Sequence, residues 1–256
     1  MSVALLDGQP CPETFPADDP ALWTGLAVFE TLRTYGSVPF RVERHLERLA
    51  ASAAWMGVPL PDPAELAREL LRVATAVPGE SKLNILLTGG GRRLVRATPI
   101  DLSRVGAPLR VVTRPWAPPP WLPGRVKHTS RAAWELAARQ SGVDEVLWVS
   151  AAGDWTEANR SNVFVVRGGR LSTPPDDGRI LQGVTRDGLI EAGRAAGIPV
   201  HEEIVPAGPC DELYLASTLK ELAPVVELDG VPGPGSGLVG ARLHAAFRAY
   251  FRVVSA

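Results

Sequence analysis

The alternation of apolar and polar positions predicts that strands and helices interchange along the whole chain. Residues with β-forming side chains alternate over 26–35, and the turn at Gly36 and Ser37 leads into a second strand at 38–41. A helix follows, and its apolar side is formed by Leu46, Leu49, Ala50 and Ala53. A second helix is predicted from about 63 to 77, since proline is favoured in a first helical turn.

The next segments indicate more strands and then a break in the chain. Strands are predicted at 82–88 and 109–113, with a third at 94–98. The stretch 115–123 contains five prolines, which remove backbone donors and favour an extended conformation. We therefore predict a smaller N-terminal α/β domain over 1–114, a linker over 115–123 and a larger C-terminal domain over 124–256.

The C-terminal part begins with a short predicted strand that ends at Lys127. A helix over 132–140 should follow, and its apolar positions are Ala133, Leu136 and Ala137. Beyond it lie a strand at 145–149, the polar pair Thr156-Glu157 and an apolar strand at 163–166. The pattern places one amine and one carboxylate at the ends of buried elements.

Two further segments have hydroxyl side chains at helix entries. Gly183 frees the backbone and Thr185 is positioned to cap a helix, whose first amides would face an anion. Ser217 and Thr218 follow a strand at 211–216, at the start of a predicted helical turn. Together with one arginine these entries could chelate a phosphate monoester, although ordinary capped helices have the same sequence features.

Composition excludes several classes of protein. The chain has 256 residues, 45% hydrophobic, and a formal net charge of −1, so no charge excess favours nucleic acid or a membrane surface. The two cysteines each stand alone, and the four histidines lack metal-ligand spacing, so neither a disulfide framework nor a metal site is expected. These features are typical of a cytoplasmic protein.

Three candidate groups carry chemistry. Lys127 is a nucleophile when neighbouring cations or burial lower its pKa, and Glu157 can hold a ring nitrogen protonated. His45 and Arg48 lie together on the flank of the first long helix. Each has an ordinary alternative, respectively a surface lysine, a turn before a strand and a solvated helix flank.

The motifs agree with one family in order and spacing. They are Val28-Phe-Glu-Thr-Leu-Arg, His45-Leu-Glu-Arg-Leu, Val126-Lys-His-Thr-Ser-Arg, Asp144-Glu145, Thr156-Glu157, Ser161-Asn162-Val-Phe, Thr173-Pro-Pro, Leu181-Gln-Gly-Val-Thr-Arg, Ser217-Thr218 and Ala223-Pro-Val. Over about residues 25–250 the chain resembles the class IV, or fold-type IV, pyridoxal-phosphate enzymes. This resemblance implies a two-domain α/β (α+β) fold like that of D-amino-acid aminotransferase, with pyridoxal 5'-phosphate in the interdomain cleft.

The resemblance also implies roles for individual residues. Lys127 would attach the cofactor covalently and carry a proton, while Glu157 would pair with the pyridine nitrogen. Arg131 would lie near the ring hydroxyl. The phosphate would be held by Arg48, the backbone amides of Val184 and Thr185, Ser217 and Thr218. Phe29, His45 and Arg92 are candidates for contact with the substrate, although a packing role is equally expected for Phe29 and His45.

One departure concerns the substrate carboxylate. The strand over 85–88 resembles a family segment in which an arginine binds that carboxylate, but Gly89 occupies the position here. Arg92, Arg93 or Arg33 would have to compensate. The glycine-rich turn that usually precedes Val28 is also replaced, by Gly25-Leu-Ala27.

The expected function is that of 4-amino-4-deoxychorismate lyase, which eliminates pyruvate to leave 4-aminobenzoate for folate synthesis. The lysine followed by histidine and, at Arg131, by arginine resembles the lyase, as does the short chain. The alternative is an aminotransferase for branched-chain or D-amino acids, and a third possibility is a degenerate binding module. The resemblance implies an amino-acid-like small-molecule substrate and a homodimer.

Overall fold

The computed structural model describes residues 2–11 and 15–254. Within them the chain divides into two compact units, Met1–Asp101 with Val126–Arg131, and Leu102–Arg125 with Ala132–Ala256. We call these unit 1 and unit 2. Among the described residues, no helix has both the length and the apolar character needed to cross a membrane.

Unit 1 contains one antiparallel sheet with two long helices. Its elements are β1 (Val3–Leu6), β2 (Gln9–Pro10), α1 (Pro20–Thr24), β3 (Ala27–Tyr35), β4 (Val38–Pro39), α2 (Val42–Met56), α3 (Pro63–Thr75), β5 (Ser81–Thr88) and β6 (Arg93–Pro99). The strand order is β2-β1-β6-β5-β3-β4. Helices α2 and α3 bury their apolar sides with alternate residues of β3, β5 and β6, which forms the core of the unit.

Unit 2 contains a larger sheet with three helices. Its elements are a 3₁₀ turn (Leu102–Arg104), β7 (Leu109–Pro115), α4 (Ala132–Ser141), β8 (Glu145–Val149), β9 (Asp154–Ala158), β10 (Asn162–Arg167), β11 (Arg170–Thr173), α5 (Val184–Ala195), β12 (Val200–Glu202), β13 (Val205–Pro206), β14 (Glu212–Ser217), β15 (Glu221–Leu228), β16 (Val231–Pro232) and α6 (Leu238–Val254).

The sheet of unit 2 closes on itself. Its order is β12-β11-β10-β14-β15-β7-β8-β9-β13, and β9 also pairs with β10 through Glu157 and Asn162. Six strands, β7, β8, β9, β10, β14 and β15, thus form a closed ring. Inward-pointing residues such as Val163, Leu215 and Val225 are buried together inside it.

The units are not divided where the sequence predicts. The predicted N-terminal domain ends at 114, but β7 pairs in parallel with β8 and β15 and so belongs to unit 2. The predicted linker is also part of unit 2, where Trp116 packs on Trp134 and Trp148 with ring centroids 5.7 and 5.6 Å apart. In turn, 126–131 belongs to unit 1, because its backbone pairs with β3.

Three local predictions also differ from the structure. Lys127 does not end a strand: one isolated bridge joins His128 to Val28. Helix α4 buries Ala138, while Leu136 on the predicted apolar side is 54% exposed. Ser217 is the last residue of β14 and Thr218 lies in the turn to β15, because a tight hairpin replaces the predicted helical turn.

Candidate active site

Lys127, in the segment 126–131, is held beside the start of β3. The amide of Phe29 donates to the Lys127 carbonyl (3.1 Å), and the Lys127 amide donates to Ser52 Oγ on α2 (3.1 Å). Hydrogen bonds of its own backbone carbonyl and amide therefore hold the residue in place. The Lys127 amine lies 4.7 Å from the centroid of the Phe29 ring.

Arg131 and His128 are brought to the same place. The Arg131 guanidinium lies 5.8 Å from the Phe29 ring centroid, so Phe29 contacts two cations. His128 is buried, and its pKa is lowered first by burial and then by the charges of Arg131 and Lys127. His128 is consequently neutral near pH 7.

Glu30 organises the basic residues of α2. It is fully buried on β3, and its carboxylate accepts from Arg48 Nε (2.7 Å) and Nη2 (2.8 Å), while His45 Nδ1 lies 2.8 Å from Oε2. Burial disfavours the Glu30 anion, but the charge of Arg48 and the hydrogen bonds from Arg48 and His45 outweigh it and lower its pKa. The bidentate contact fixes the plane of the Arg48 guanidinium.

His45 is neutral in this network. Its pKa is lowered by burial and by the charges of Arg48 and Lys127, against the opposing effect of Glu30. A neutral ring with Nδ1–H donating to the Glu30 carboxylate has an acceptor at Nε2. Among the described residues, no group forms a hydrogen bond with this buried Nε2 atom.

Glu30→Gln is expected to lower the free energy of unfolding by about 3–5 kcal/mol, because it leaves the buried Arg48 charge without its counter-ion. Chemical denaturation of the variant checks this. Glu47→Gln is the matched control, since Glu47 pairs with Arg44 on the exposed side of the same helix and should cost less than about 1 kcal/mol. Equal losses in the free energy of unfolding would show that the buried pair of Glu30 and Arg48 stabilises the protein no more than the exposed pair does.

The three arginines predicted to compensate at Gly89 are engaged elsewhere in unit 1. Arg92, at the turn before β6, pairs with Asp7 (3.1 Å), and Arg33 pairs with Glu80. Arg93 binds two carboxylates of α3, those of Glu65 (2.9 Å) and Glu69 (2.8 Å). These ion pairs give no support to a substrate role for Arg92.

A side chain at Gly89 would require the Leu26 side chain to move. A Cβ atom there would lie 2.7 Å from Leu26 Cδ2, and one at Gly90 would lie 2.7 Å from Asp19 Oδ2. Asp19 is buried and held in place, since it accepts from Thr88 Oγ1 (2.7 Å) and caps α1. The glycines at 89 and 90 therefore fit the packing of their neighbours Leu26 and Asp19, which occupy the space that a side chain would need.

In unit 2, Glu157 lies at the end of the strand ring where β9 meets β10. It is 6% exposed, and its Oε2 accepts from the amide of Leu181 (2.9 Å). Asn162, paired with Glu157 across the strands, donates from Nδ2 to the Leu181 carbonyl (2.9 Å). The two side chains hold the loop before α5 by its backbone.

The same loop leads into the N-terminus of α5. Gly183 is the N-cap and provides no side-chain cap, so Val184 and Thr185 are the first two helical residues. The prediction that Thr185 caps this helix is wrong, because the chain enters the helix two residues earlier. A side chain at Gly183 would collide with Asn162 Oδ1. Uncapped amides at a helix N-terminus attract an anion.

Ser217 and Thr218 lie at the same end of the ring. Asn162 pairs with Ala216, and Ser217 is the next and last residue of β14. The turn after it is fixed by Lys220, whose amine lies 2.5 Å from the Glu145 carboxylate. Glu145 is fully buried and also accepts from Ser161 Oγ (2.7 Å). Unit 2 therefore contains the Glu157 carboxylate, the N-terminus of α5 and the hydroxyl groups of Ser217 and Thr218.

These groups suit the cofactor that the resemblance implies. A pyridine nitrogen requires an acid such as Glu157, and a phosphate requires backbone amides and hydroxyl groups. Because Gly183 has no side chain, a bound phosphate could come close to the backbone there. Unit 1 separately brings Lys127 and Arg131 to Phe29, and His45 and Arg48 to Glu30.

Two residues that organise these groups had no assigned role in the sequence-based prediction. Glu30 carries a charge at a core-facing position of the alternating β3 pattern, between Val28 and Leu32, and a buried charge requires a partner. The sequence therefore already indicated a buried ion pair at Glu30. Asn162 had no comparable signal, because its function depends on the distant loop at Leu181.

Comparison with known proteins gives consistent relatives. A protein from Thermotoga maritima named "Probable branched-chain-amino-acid aminotransferase" is 32% identical over 79% of this chain and 77% of its own length. D-alanine aminotransferase of Listeria monocytogenes is 27% identical over 91% and 90%. The solved structure titled "A hypothetical aminotransferase from Mycobacterium tuberculosis, PLP-bound form" is 26% identical, with a TM-score of 0.86 over 96% of this chain and 98% of its own.

The family model described as "Amino-transferase class IV" matches residues 27–228. The match begins at the first residue of β3 and ends at the last residue of β15, so it contains Lys127, Glu157 and the start of α5. It covers most of the chain. This protein therefore belongs to the class IV amino-transferase family.

Proposed function

We propose that this chain is an aminotransferase that acts on branched-chain or D-amino acids. Class IV aminotransferases are pyridoxal-phosphate enzymes with the fold-type IV architecture, and the Mycobacterium tuberculosis relative is titled as a PLP-bound form. The relatives from Thermotoga maritima and Listeria monocytogenes are named as a branched-chain-amino-acid and a D-alanine aminotransferase, respectively. They support transamination over the lyase activity that the sequence motifs favoured.

The observation that carries the proposal is the placement of Lys127. Its backbone is held to β3 and to α2, and its amine lies against Phe29. Pyridoxal phosphate, when bound, supplies an electron sink that stabilises a carbanion at the substrate α-carbon. Lys127 is the residue that we propose binds the cofactor aldehyde and then moves the proton to and from that carbon.

The remaining roles follow the chemistry of each group. Glu157 would hold the pyridine nitrogen protonated through its negative charge, and Arg131 would lie near the ring hydroxyl. Four groups with donors or positive charge would hold the phosphate. They are Arg48, the amides at the start of α5 (Val184 and Thr185), Ser217 and Thr218.

A single-turnover assay tests the proposal. The holoenzyme is mixed with one amino acid at a time, from matched L and D sets, without a keto acid. An aminotransferase should convert its cofactor once to the amine form, with loss of the lysine-linked absorbance, and a keto acid should then restore that absorbance. The set of active donors identifies branched-chain or D-amino-acid specificity.

The same samples test the lyase. His128 and Arg131 match the lyase-like motif, so aminodeoxychorismate is included as a substrate. Repeated pyruvate release from it without any keto acid would contradict the proposed transamination as the main activity. Cofactor binding without turnover of any compound would favour the degenerate binding module instead. The homodimer and the cytoplasmic location stay predictions.

A further inference from the structure

The hairpin between β14 and β15 contains a residue with an unfavourable backbone conformation. Ser217, the last residue of β14, pairs with Glu221, the first residue of β15, so Glu221 closes the turn opposite Ser217. The φ angle of Glu221 is 58°, in the left-handed region that glycine adopts readily and that residues with a Cβ atom rarely adopt. A glutamate at this position indicates that its side chain makes a contribution that glycine could not make.

The Glu221 side chain is buried and connects the hairpin to α6. Glu221 is 1% exposed, and its Oε2 atom accepts from Arg248 Nε (2.7 Å) and lies 2.7 Å from His244 Nε2. His244 and Arg248 are four residues apart, so one side of α6 presents both of them to the same carboxylate. A buried anion requires partners of this kind, because its burial without them would be costly.

Helix α6 is also attached to the other end of β14. Glu212, the first residue of β14, accepts from the amides of Val239 (3.0 Å) and Gly240 (2.8 Å) in the first turn of α6. The Tyr214 hydroxyl donates to Glu212 (2.6 Å) and accepts from the amide of Gly237 (2.8 Å). These bonds satisfy amides that a helix N-terminus leaves without intrahelical partners. Helix α6 is thus joined to the start of β14 as well as to the hairpin at its end.

The same helix packs against α5, whose first amides we assign to the phosphate. Leu243, the neighbour of His244, is fully buried, and a Cβ atom at Gly193 of α5 would lie 2.9 Å from Leu243 Cδ1. The glycine therefore allows α5 and α6 to lie close together. Both elements of unit 2 that carry the proposed phosphate ligands, α5 and the hairpin, consequently contact α6.

The second half of the turn is held firmly, whereas the hydroxyl groups of its first half are available. Lys220 pairs with Glu145, and its carbonyl accepts from the amide of Gly106 (2.9 Å). Among the residues that the structure describes, the hydroxyl groups of Ser217 and Thr218 have no hydrogen-bond partner. A phosphate is bound tightly when its donors are in place beforehand, since ordering a loose turn on binding costs free energy. Contacts that fix this turn should therefore increase affinity for a phosphate.

We propose that Glu221 is a positioning residue for the phosphate of the cofactor. Through its contacts with α6 it holds Ser217 and Thr218 in place relative to the start of α5. The inference rests on the proposed function, because the phosphate ligands are those assigned there. It predicts that loss of the contacts between Glu221 and α6 weakens recognition of the phosphate and leaves recognition of the pyridine ring unchanged.

Binding of two cofactor analogues to the full chain, freed of cofactor, tests this inference. Pyridoxamine 5'-phosphate and pyridoxamine differ only in the phosphate, and neither has the aldehyde that reacts with a lysine. The ratio of their dissociation constants, measured by calorimetry, therefore reports phosphate recognition alone. In Glu221→Gln the preference for the phosphate form should fall at least about tenfold, while the affinity for pyridoxamine stays within about twofold of the native value.

Arg248→Gln is a milder variant, and Arg242→Gln is its matched control. Both changes remove one arginine from α6, but Arg248 contacts Glu221, whereas Arg242 occupies an exposed position on the same helix. The Arg248 side chain is 46% exposed, so the fold should tolerate its loss. The preference for the phosphate form should fall at least about threefold in Arg248→Gln and stay unchanged in Arg242→Gln.

Glu221→Gly separates the backbone of this residue from its carboxylate. Glycine suits the left-handed φ angle, so a residue needed only for the turn could be replaced by glycine without loss of phosphate recognition. We expect the preference for the phosphate form to fall in Glu221→Gly as it does in Glu221→Gln, because both variants lack the anion that α6 contacts.

An unchanged preference in the two Glu221 variants would overturn the inference, even if their thermal stability fell, because Glu221 would then serve the fold alone. A native chain that bound both analogues equally would overturn it too. Failure of the proposed function is a different result, in which the native holoenzyme transfers no amino group from any donor. The binding ratios would still decide the role of Glu221 in that case.

Discussion

Lys127→Ala is expected to abolish the absorbance of the lysine-linked cofactor and to reduce turnover by at least about 10³-fold. The substitution removes the amine that we propose binds the aldehyde and moves the proton. The fold should persist, because the bonds from 126–131 to β3 and α2 are made by the backbone. Spectroscopy, single-turnover kinetics and circular dichroism measure these three properties.

The chain offers a sharp control for this experiment, since its lysines are Lys82, Lys127 and Lys220. Borohydride reduction of the holoenzyme followed by peptide mapping should place the cofactor on Lys127. Lys82→Ala should retain the lysine-linked absorbance. A cofactor trapped on Lys82 or on Lys220, which is paired with the buried Glu145, would refute the assignment.

Glu157→Gln is expected to retain the cofactor but to slow proton removal from the substrate by about 10²-fold or more. A neutral amide cannot hold the pyridine nitrogen protonated, so the ring becomes a poorer electron sink. Glutamine keeps the shape of the side chain, and its oxygen can still accept from the Leu181 amide. The loss should therefore fall on the rate and leave the structure of unit 2 unchanged.

An isotope effect separates this role from a structural one. If proton removal is slowed, replacing the substrate α-hydrogen with deuterium should slow the variant more than the native enzyme. Glu203→Gln is the control, because Glu203 pairs with Arg170 on an exposed part of unit 2. An unaltered rate in Glu157→Gln would remove Glu157 from the mechanism.

Local patterns predicted most of the elements correctly. The alternation over 26–35 corresponds to β3, the stripe with Leu46 and Leu49 corresponds to α2, and the proline at 63 begins α3. In these segments the periodicity of burial is set by one sheet face or one helix side, which the sequence records directly. The family followed from motif order, and the match over residues 27–228 confirmed it.

Features that depend on distant partners were predicted poorly. Residues 126–131 belong to unit 1 because Phe29 and Ala27 bond to a backbone about a hundred positions later. Helix α4 buries Ala138 beside a tryptophan cluster that includes Trp116, which the proline-rich pattern had assigned to a linker. No local period encodes such contacts, so the domain boundaries and the buried side of α4 required the structure.

The aminotransferase activity itself was predicted only as an alternative. His128 and Arg131 match the motif of the lyase, but we propose that these positions surround the cofactor, which both kinds of enzyme bind. Substrate choice depends on side chains brought together by strand register, and one strand sequence alone does not show which neighbours it will have.

The crowding beside Gly89 has a consequence for attempts to redesign specificity. Installing an arginine there in one step would force Leu26 aside, and the same change one position later would meet the anchored carboxylate of Asp19. Residues 26 and 89 thus form one coupled pair and residues 19 and 90 form another, so a change at either glycine requires a change at its partner. A mutational library that varies single positions will miss these combinations, so the two members of each pair should be diversified together.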